Sequence, residues 1–561
     1  MRTPGSFFAI VTLMLAFSGC GTPPTDPPRL ILHHGRVITL DPESSIAEAV
    51  AIDEEHIVAV GDNDAIIAMA GTETELVDLG GQTLLPGFAD NHYHGIGGGP
   101  GVDLAPTRRL SDVLEAIAAR ASATPPGEVI FTNRDWHEGQ LAEQRLPYRD
   151  DLDAAAPRHP VVVVRGGHEY VLNSAALSKW GIDESTESPT GGSIGRYPDG
   201  RLNGELVDAA KGLVELPADA SPSADYQPDR LAAEHRRLNE VGLTSIRYAS
   251  GDIQLYDALA ELRERRDLTV RASVLFRLTP AVDPDGLNEV FQNWGVGPDD
   301  GDAWLRVGGI KLGVDGGFEG GWMREPYAEP FGENGSYYGL QTFPTVLFVR
   351  LVRALNQKGW RVATHAVGDA AIDLVLDGYG QADRDRSIRG RRWTIEHGFI
   401  VHEDQIARIK ELDLAVSAQH HLYLAGPSLV KYWGAERANQ VTPLRSYLDA
   451  GIPVSMGTDS PVVPYPPLWV LYHFITRETI SAGIMGADQR LGREEALRAM
   501  TLGSAYLTFD EDLKGSIEPG KLADLVVLPE DILNCPAGRI RDMNVSMTLV
   551  SGRIVFRREA H

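Results

Sequence analysis

A succession of apolar, strand-like runs, most of them followed by an amphipathic stretch, leaves few folds open to this chain. The runs end near Asp90, Ala249, Phe276, Lys311, His365, His397, Ala418 and Thr458. Segments such as 345–357 and 402–412 follow them with apolar residues at helical spacing. Strand-then-helix units in this number predict an α/β protein, a parallel (β/α)8 TIM barrel over residues 86–509. Such a barrel places its chemistry at the C-terminal ends of its strands, so the polar residues found there become the functional candidates.

The flanks read differently. Residues 30–85 carry short alternating runs such as LILHHGRVITL and AVAIDEEHIVAVG, divided by turn residues, and SIEPGKLADLVVL and VSMTLVSGRIVF repeat that style near the C-terminus. Residues 30–85 and 510–557 are therefore expected to build one small composite β-sandwich, with the barrel between them. The gap between the first two barrel strands is too long for a loop. It holds VIFTN, PVVVVRGG and GGSIGRYPDGRLNG, and about residues 105–225 are expected to form an inserted subdomain.

With 561 residues, 43% of them hydrophobic, the chain has ample material for a barrel and these accessories. Its 52 Lys and Arg against 78 Asp and Glu leave a formal charge of −26, which repels phosphate backbones and argues against nucleic acid as a partner. The first residues point to export. Arg2 precedes an apolar run from Phe7 to Phe17, and Phe17-Ser18-Gly19-Cys20 resembles a bacterial lipoprotein lipobox, although Phe17 stands where leucine is usual. On this reading residues 1–19 are a signal peptide, Cys20 is lipidated, and 20–29, rich in proline, is a tether. The protein would then sit in the cell envelope, outside the cytoplasm and lipid-anchored to a membrane. The alternative is an ordinary secretory signal or short anchor, but about a dozen apolar residues do not comfortably span a bilayer. Cys535, the other cysteine, has no companion motif, and two cysteines make no disulfide framework.

Metal-type residues gather at the strand ends. Leu84-Leu85-Pro86-Gly87-Phe88-Ala89-Asp90-Asn91-His92-Tyr93-His94 ends in His-x-His, and alternation along an extended chain puts both imidazoles on one side. Taken alone, such a pair is more often a surface or packing feature. Gly308-Gly309-Ile310-Lys311 ends a run with lysine, Ala363-Thr364-His365 and Thr394-Ile395-Glu396-His397-Gly398 supply two more histidines, and Val454-Ser455-Met456-Gly457-Thr458-Asp459-Ser460 supplies an aspartate.

The ordered set LPGFADNHYHG, GHEYVLNSAAL, IKLGVDG, THAVGDAAID, TIEHGFIV, MGTDSPV and GSIEPGKLADLVVL resembles the amidohydrolase superfamily, in particular its YtcJ-type members, over nearly the whole mature chain. The resemblance implies that His92 and His94 bind one divalent metal and His365 and His397 a second. Lys311 falls where the family can place a lysine carboxylated by CO2, whose anionic oxygens bridge two ions; the plain alternative is a strand-end lysine paired with Asp315. Asp459 would contact the metal and act as general base on a water that the metal activates. Zinc is the expected ion, as one or two per chain, with iron, manganese and nickel as alternatives.

Other residues carry weaker signals. Asp90 is expected to orient a ligand or cap its strand, and Asp369 to cap a helix or support the site. Trp136, Glu138 and His168 in the insertion, with Asp315, Gln419 and His420 at the barrel mouth, are candidates for contact with a small-molecule substrate; His420 stands where family members commonly have proline. His421 follows at the same mouth. His33, His34 and His56 read as off-site surface residues. The expected activity is hydrolysis of a non-peptide C–N bond, of amide or N-acyl type. Hydrolysis of an ester, lactone or cyclic amide on the same site is the rival within enzymes, and a catalytically silent solute-binding lipoprotein the rival outside them. A homodimer is the default assembly.

Overall fold

The computed structural model describes residues 26–217 and 226–559. The expected leader, Cys20 and the start of the tether lie outside them. Eight parallel strands form the central sheet: β1 (Phe88–Tyr93), β2 (Leu243–Gly251), β3 (Arg271–Arg277), β4 (Leu305–Gly313), β5 (Val362–Ala366), β6 (Thr394–His397), β7 (Ala415–Gln419) and β8 (Val454–Gly457). Each pairs with the next in chain order. β8 then returns to β1, where the Asp459 amide donates to the His92 carbonyl at 2.6 Å and the His94 amide to that of Ser460 at 2.9 Å. The result is a nearly closed barrel of the TIM type.

Asp90 fastens this seam. Its buried carboxylate accepts from the amides of His92 at 3.0 Å and Thr458 at 2.9 Å, and from the Thr458 hydroxyl. Burial pushes its pKa up to about 7 against these bonds. The residue thus ties two strands together, in line with the capping role expected for it.

Helices wrap the barrel where the periodicity predicts them. Thr345–Gln357 buries Phe348, Leu351, Val352 and Leu355, a spacing that keeps one stripe of a helix on the sheet. Glu403–Glu411 occupies the other predicted segment. Asp252 caps the helix Ile253–Arg265 by accepting from the Leu255 amide at 2.9 Å.

The chain ends meet in a six-stranded mixed sheet. Arg36–Ile38, Ile46–Ala47 and Thr83–Pro86 join Leu525–Leu528, Met547–Val550 and Arg553–Arg557, with Val527 paired to Leu84. A four-stranded sheet of Leu30–His33, Ala49–Asp53, His56–Gly61 and Glu75–Asp78 packs against it. Leu32, Val50 and Ile52 of the smaller sheet share one core with Val37, Leu84, Leu525 and Val527 of the larger. Arg271, at the start of β3, joins barrel to sheet through Asp524, with Nε at 2.6 Å and Nη2 at 3.0 Å from the carboxylate.

The insertion holds a five-stranded sheet of its own, from Ile130–Phe131 to Leu202–Asp208. Its strand Val161–Arg165 explains the unbroken VVVV run. Val161 and Val163 enter one hydrophobic cluster, Val162 and Val164 another, so both faces are covered and no polar alternation is needed. No helix among the described residues is long and apolar enough to cross a membrane.

Candidate metal centre

The strand ends deliver six side chains to one cavity of about 760 Å3 at the mouth of the barrel: His92, His94, Lys311, His365, His397 and Asp459. Register sets their order, since Gly313 lies opposite His365 and Ala366 opposite His397. His397 and Asp459 have left-handed backbones, with φ of 73° and 62°, a region sparsely populated by residues with a Cβ. At His397 this breaks the strand alternation, so that Glu396 and His397, consecutive in sequence, both approach His92.

The polar atoms are close. Asp459 Oδ1 is 3.0 Å from His94 Nε2 and 3.5 Å from His92 Nε2, while Asp459 Oδ2 is 2.9 Å from His421 Nε2. Lys311 Nζ stands 3.4 Å from His92 Nε2. The His397 ring centre is 4.7 Å from that of His92 and 4.4 Å from that of His365. Ligand atoms of His92, His397 and Asp459 all fall within 4.8 Å of one another, a group that takes one histidine from each of the two pairs implied by the sequence.

A buried outer layer orients these rings. Glu396 Oε2 lies 2.5 Å from His92 Nδ1, and its other oxygen accepts from Arg247, whose Nε donates to the Asn91 carbonyl at 2.8 Å. Gln419 Oε1 holds His397 Nδ1 at 2.6 Å and is itself fixed by Ser417. His365 Nε2 faces the Gly316 carbonyl at 3.0 Å. Burial, reinforced by neighbouring cations, drives the pKa of His92, His365 and His397 well below the ordinary value; it lowers that of His94 too, against Asp459. Burial opposes ionisation of Asp459, but His92, His421 and His94 hold its pKa well below the carboxylate range. Burial also brings Lys311 down to about 8, with Glu396 and Asp459 resisting. Neutral imidazoles with one nitrogen already fixed, beside an ionised carboxylate, are the donor set that a divalent cation such as zinc takes. The residues present fit a metal.

The remaining candidates divide. His168 lines the cavity, its Nδ1 2.6 Å from Asp208 Oδ1, and its ring centre is 5.4 Å from that of His365. Asp315 also lines the cavity, yet its carboxylate accepts from the amides of Trp322, Val367 and Gly368 at 2.8–3.1 Å, so it clamps loops and is not the partner of Lys311. Burial pushes its pKa up to about 8. Trp136 is a correction: it belongs to the core of the insertion, because its large apolar ring gains most by burial and its one donor is satisfied there by the Val164 carbonyl at 2.8 Å. Gln419 reaches the site only through His397. His420 is a second correction, because it is fully buried beside Tyr423 and absent from the cavity wall, while the next residue, His421, reaches Asp459. Glu138 is buried against Arg165 at 3.1 Å, and Asp369 accepts from the Arg324 and Ala370 amides at a helix start. His33, which is buried, groups with the exposed His34 and Asp78 in the four-stranded sheet and its edge, and none of the three lines the barrel-mouth cavity.

Sequence reasoning passed over Glu396 and Arg247 as functional residues, and placed His421 at the mouth without giving it a role. For Glu396 and Arg247 the signal was a charge inside an otherwise apolar run, in TIEHG and LTSIRYAS, where an unpaired charge is too costly to bury.

A TIM-type barrel that collects histidines, a lysine and an aspartate at its mouth defines a metal-dependent hydrolase. The comparisons with known proteins give the family. The Amidohydro_3 profile of the amidohydrolase family matches residues 75–556, and the chain belongs to that family, in its YtcJ-like branch. It is 30% identical over 550 residues to an N-substituted formamide deformylase of Arthrobacter pascens, covering 94% of this chain and 98% of that one. It is 26% identical over 540 residues to Bacillus subtilis YtcJ, covering 94% and 99%. The crystal structure of a metal-dependent hydrolase from Pyrococcus horikoshii superimposes with a TM-score of 0.66 at 22% identity, over 91% of this chain and 99% of that one.

Proposed function

We propose that this protein hydrolyses a non-peptide C–N bond of amide or N-acyl type, in which water cleaves the bond between carbonyl carbon and nitrogen to give a carboxylic acid and an amine. The observation that carries the reading is the position of Asp459: an ionised carboxylate facing His92 and His94 from β8, with its second oxygen held by His421. A carboxylate so placed accepts a proton from the attacking water and returns it to the leaving nitrogen. The 30% identity to an N-substituted formamide deformylase supports a C–N bond over an ester.

The divalent ion, zinc in this proposal, supplies Lewis acidity and a lowered pKa for water when bound. His92, His94, His365, His397 and Asp459 would hold it, and Lys311 as its carbamate would supply a further anionic ligand. His421 and the left-handed turn at Asp459 keep the base pointed into the cavity. Export and lipid anchoring through Cys20 belong to the same proposal, on the strength of the Phe17–Cys20 sequence.

The test is metal content per chain with turnover of an N-formyl and N-acyl panel, for wild type, Lys311→Ala and Asp459→Asn. Two metals falling to one or fewer in Lys311→Ala, with kcat lost by a factor of about 10^2 or more in Asp459→Asn, is the expected result. A metal-free, inactive wild type that still binds solutes would instead mark a silent receptor.

A further inference from the structure

The cavity wall holds more positive charge than the chemistry at its floor uses. Arg134 and Lys211 come from the insertion and Arg277 from the last position of β3, and all three line the cavity. None of them makes an ion pair among the described residues. Arg277 donates only to the Ser250 hydroxyl, at 3.3 Å, and Lys211 donates to the Gly167 carbonyl while lying 5.3 Å from the Tyr170 ring centre.

Two of the three carboxylates on the same wall are fully engaged, and the third, Asp208, keeps one buried oxygen, Oδ2, without a hydrogen bond. Asp208 pairs with His168, Asp315 is taken up by three backbone amides, and Asp459 is held by His94 and His421. Asp208 is the carboxylate of this wall that attracts Lys211 and Arg277, so three cations share one anion that His168 already pairs, in a chain whose formal charge is −26. So acidic an exterior does not itself attract anions, whereas a cleft with a positive wall focuses them locally.

Register places the charge beside the reacting centre. Arg277 pairs with Lys311 across β3 and β4, so its side chain starts one strand away from the metal ligands. Lys211 and Arg134 face it from the insertion. A volume of about 760 Å3 accommodates an acyl group and an amino-acid-sized remainder together.

We propose that the cavity selects an N-acyl compound bearing a carboxylate, with the carboxylate bound by Arg277, Lys211 and Arg134 while the acyl carbonyl lies against His94 and Asp459. This rests on the C–N hydrolase reading. Arginine suits the role because its planar fork meets a carboxylate through two parallel bonds.

The test compares N-acetyl and N-formyl amino acids with their C-terminal methylamides on the metal-loaded enzyme, by kcat/KM and by calorimetric binding. Wild type is expected to prefer the carboxylate by about 10- to 100-fold, and Arg277→Gln to lose most of that preference, with Arg277→Lys restoring part of it. Lys211→Gln and Arg134→Gln are expected to reduce it by smaller factors. A wild type that binds the methylamide equally well, a preference that survives Arg277→Gln, or binding of neither compound would each overturn the proposal. The two readings fail separately. Selective carboxylate binding that Arg277→Gln abolishes, without hydrolysis of either compound, sinks the C–N reading and leaves the anion site; hydrolysis of both without preference does the reverse.

Discussion

Glu396 Oε2 lies 2.5 Å from His92 Nδ1, with both side chains closed to solvent. The carboxylate is held from behind by Arg247, so a buried cation, an anion and the imidazole of a proposed metal ligand form one line from β2 through β6 to β1. Such a partner fixes which ring nitrogen carries the proton and raises the basicity of the other.

Replacing that partner should therefore act on the metal. Glu396→Gln keeps a hydrogen-bond acceptor but removes the charge, and apparent metal affinity in chelator competition is expected to fall about 10- to 100-fold. Unchanged affinity in a folded variant would show that Glu396 only balances Arg247.

His421 acts through Asp459. His421→Ala is expected to lower kcat about 10-fold or more with little change in KM, since the base loses its hydrogen bond while the cavity wall is kept. His421→Gln, which retains an N–H donor, should recover part of the loss. Equal activity in all three proteins would exclude the role.

The Arg271–Asp524 pair sets an acid limit on stability. Burial alone would raise the Asp524 pKa, but Arg271 and the Ser551 amide hold it below the usual carboxylate value. The pair therefore stabilises the fold fully above about pH 4, the unfolded value, and the contribution disappears as pH falls through the lowered one. Asp524→Asn leaves Arg271 buried without its partner and is expected to cost about 3–5 kcal/mol at pH 7 by urea unfolding. The variant should also lose less stability than wild type as the pH falls below about 4, the unfolded carboxylate value.

The leader makes a prediction independent of the site. Expressed in bacterial cells with an alkyne-tagged fatty acid, the full chain should be labelled and recovered with membranes, and Cys20→Ser should be neither. A wild type that stays unlabelled would remove the lipoprotein reading.

Much of the architecture was legible because it is local. Strand ends near Lys311, His365 and His397 follow from runs of apolar residues closed by a polar one, and the helix Thr345–Gln357 from a helical period of about 3.6 residues. The order of the sheet followed too, since consecutive βα units pack side by side and with one hand.

Side-chain direction at the strand ends was not legible. Alternation has a period of two only while the backbone stays extended, and the positive φ at His397 and Asp459 breaks it where it matters. The same uncertainty separates His420, buried away from the cavity, from His421, which holds Asp459.

Hydrophobic periodicity and turn chemistry act over a few residues, and from them follow the barrel, its strand order, the residue types at its mouth and the two-ended sheet. That Glu396 backs His92, that Trp136 is core, and that Arg134, Lys211 and Arg277 face one cavity emerge in the folded chain alone. Those relations join residues tens to hundreds of positions apart, and the closing of the barrel and the docking of the insertion create them.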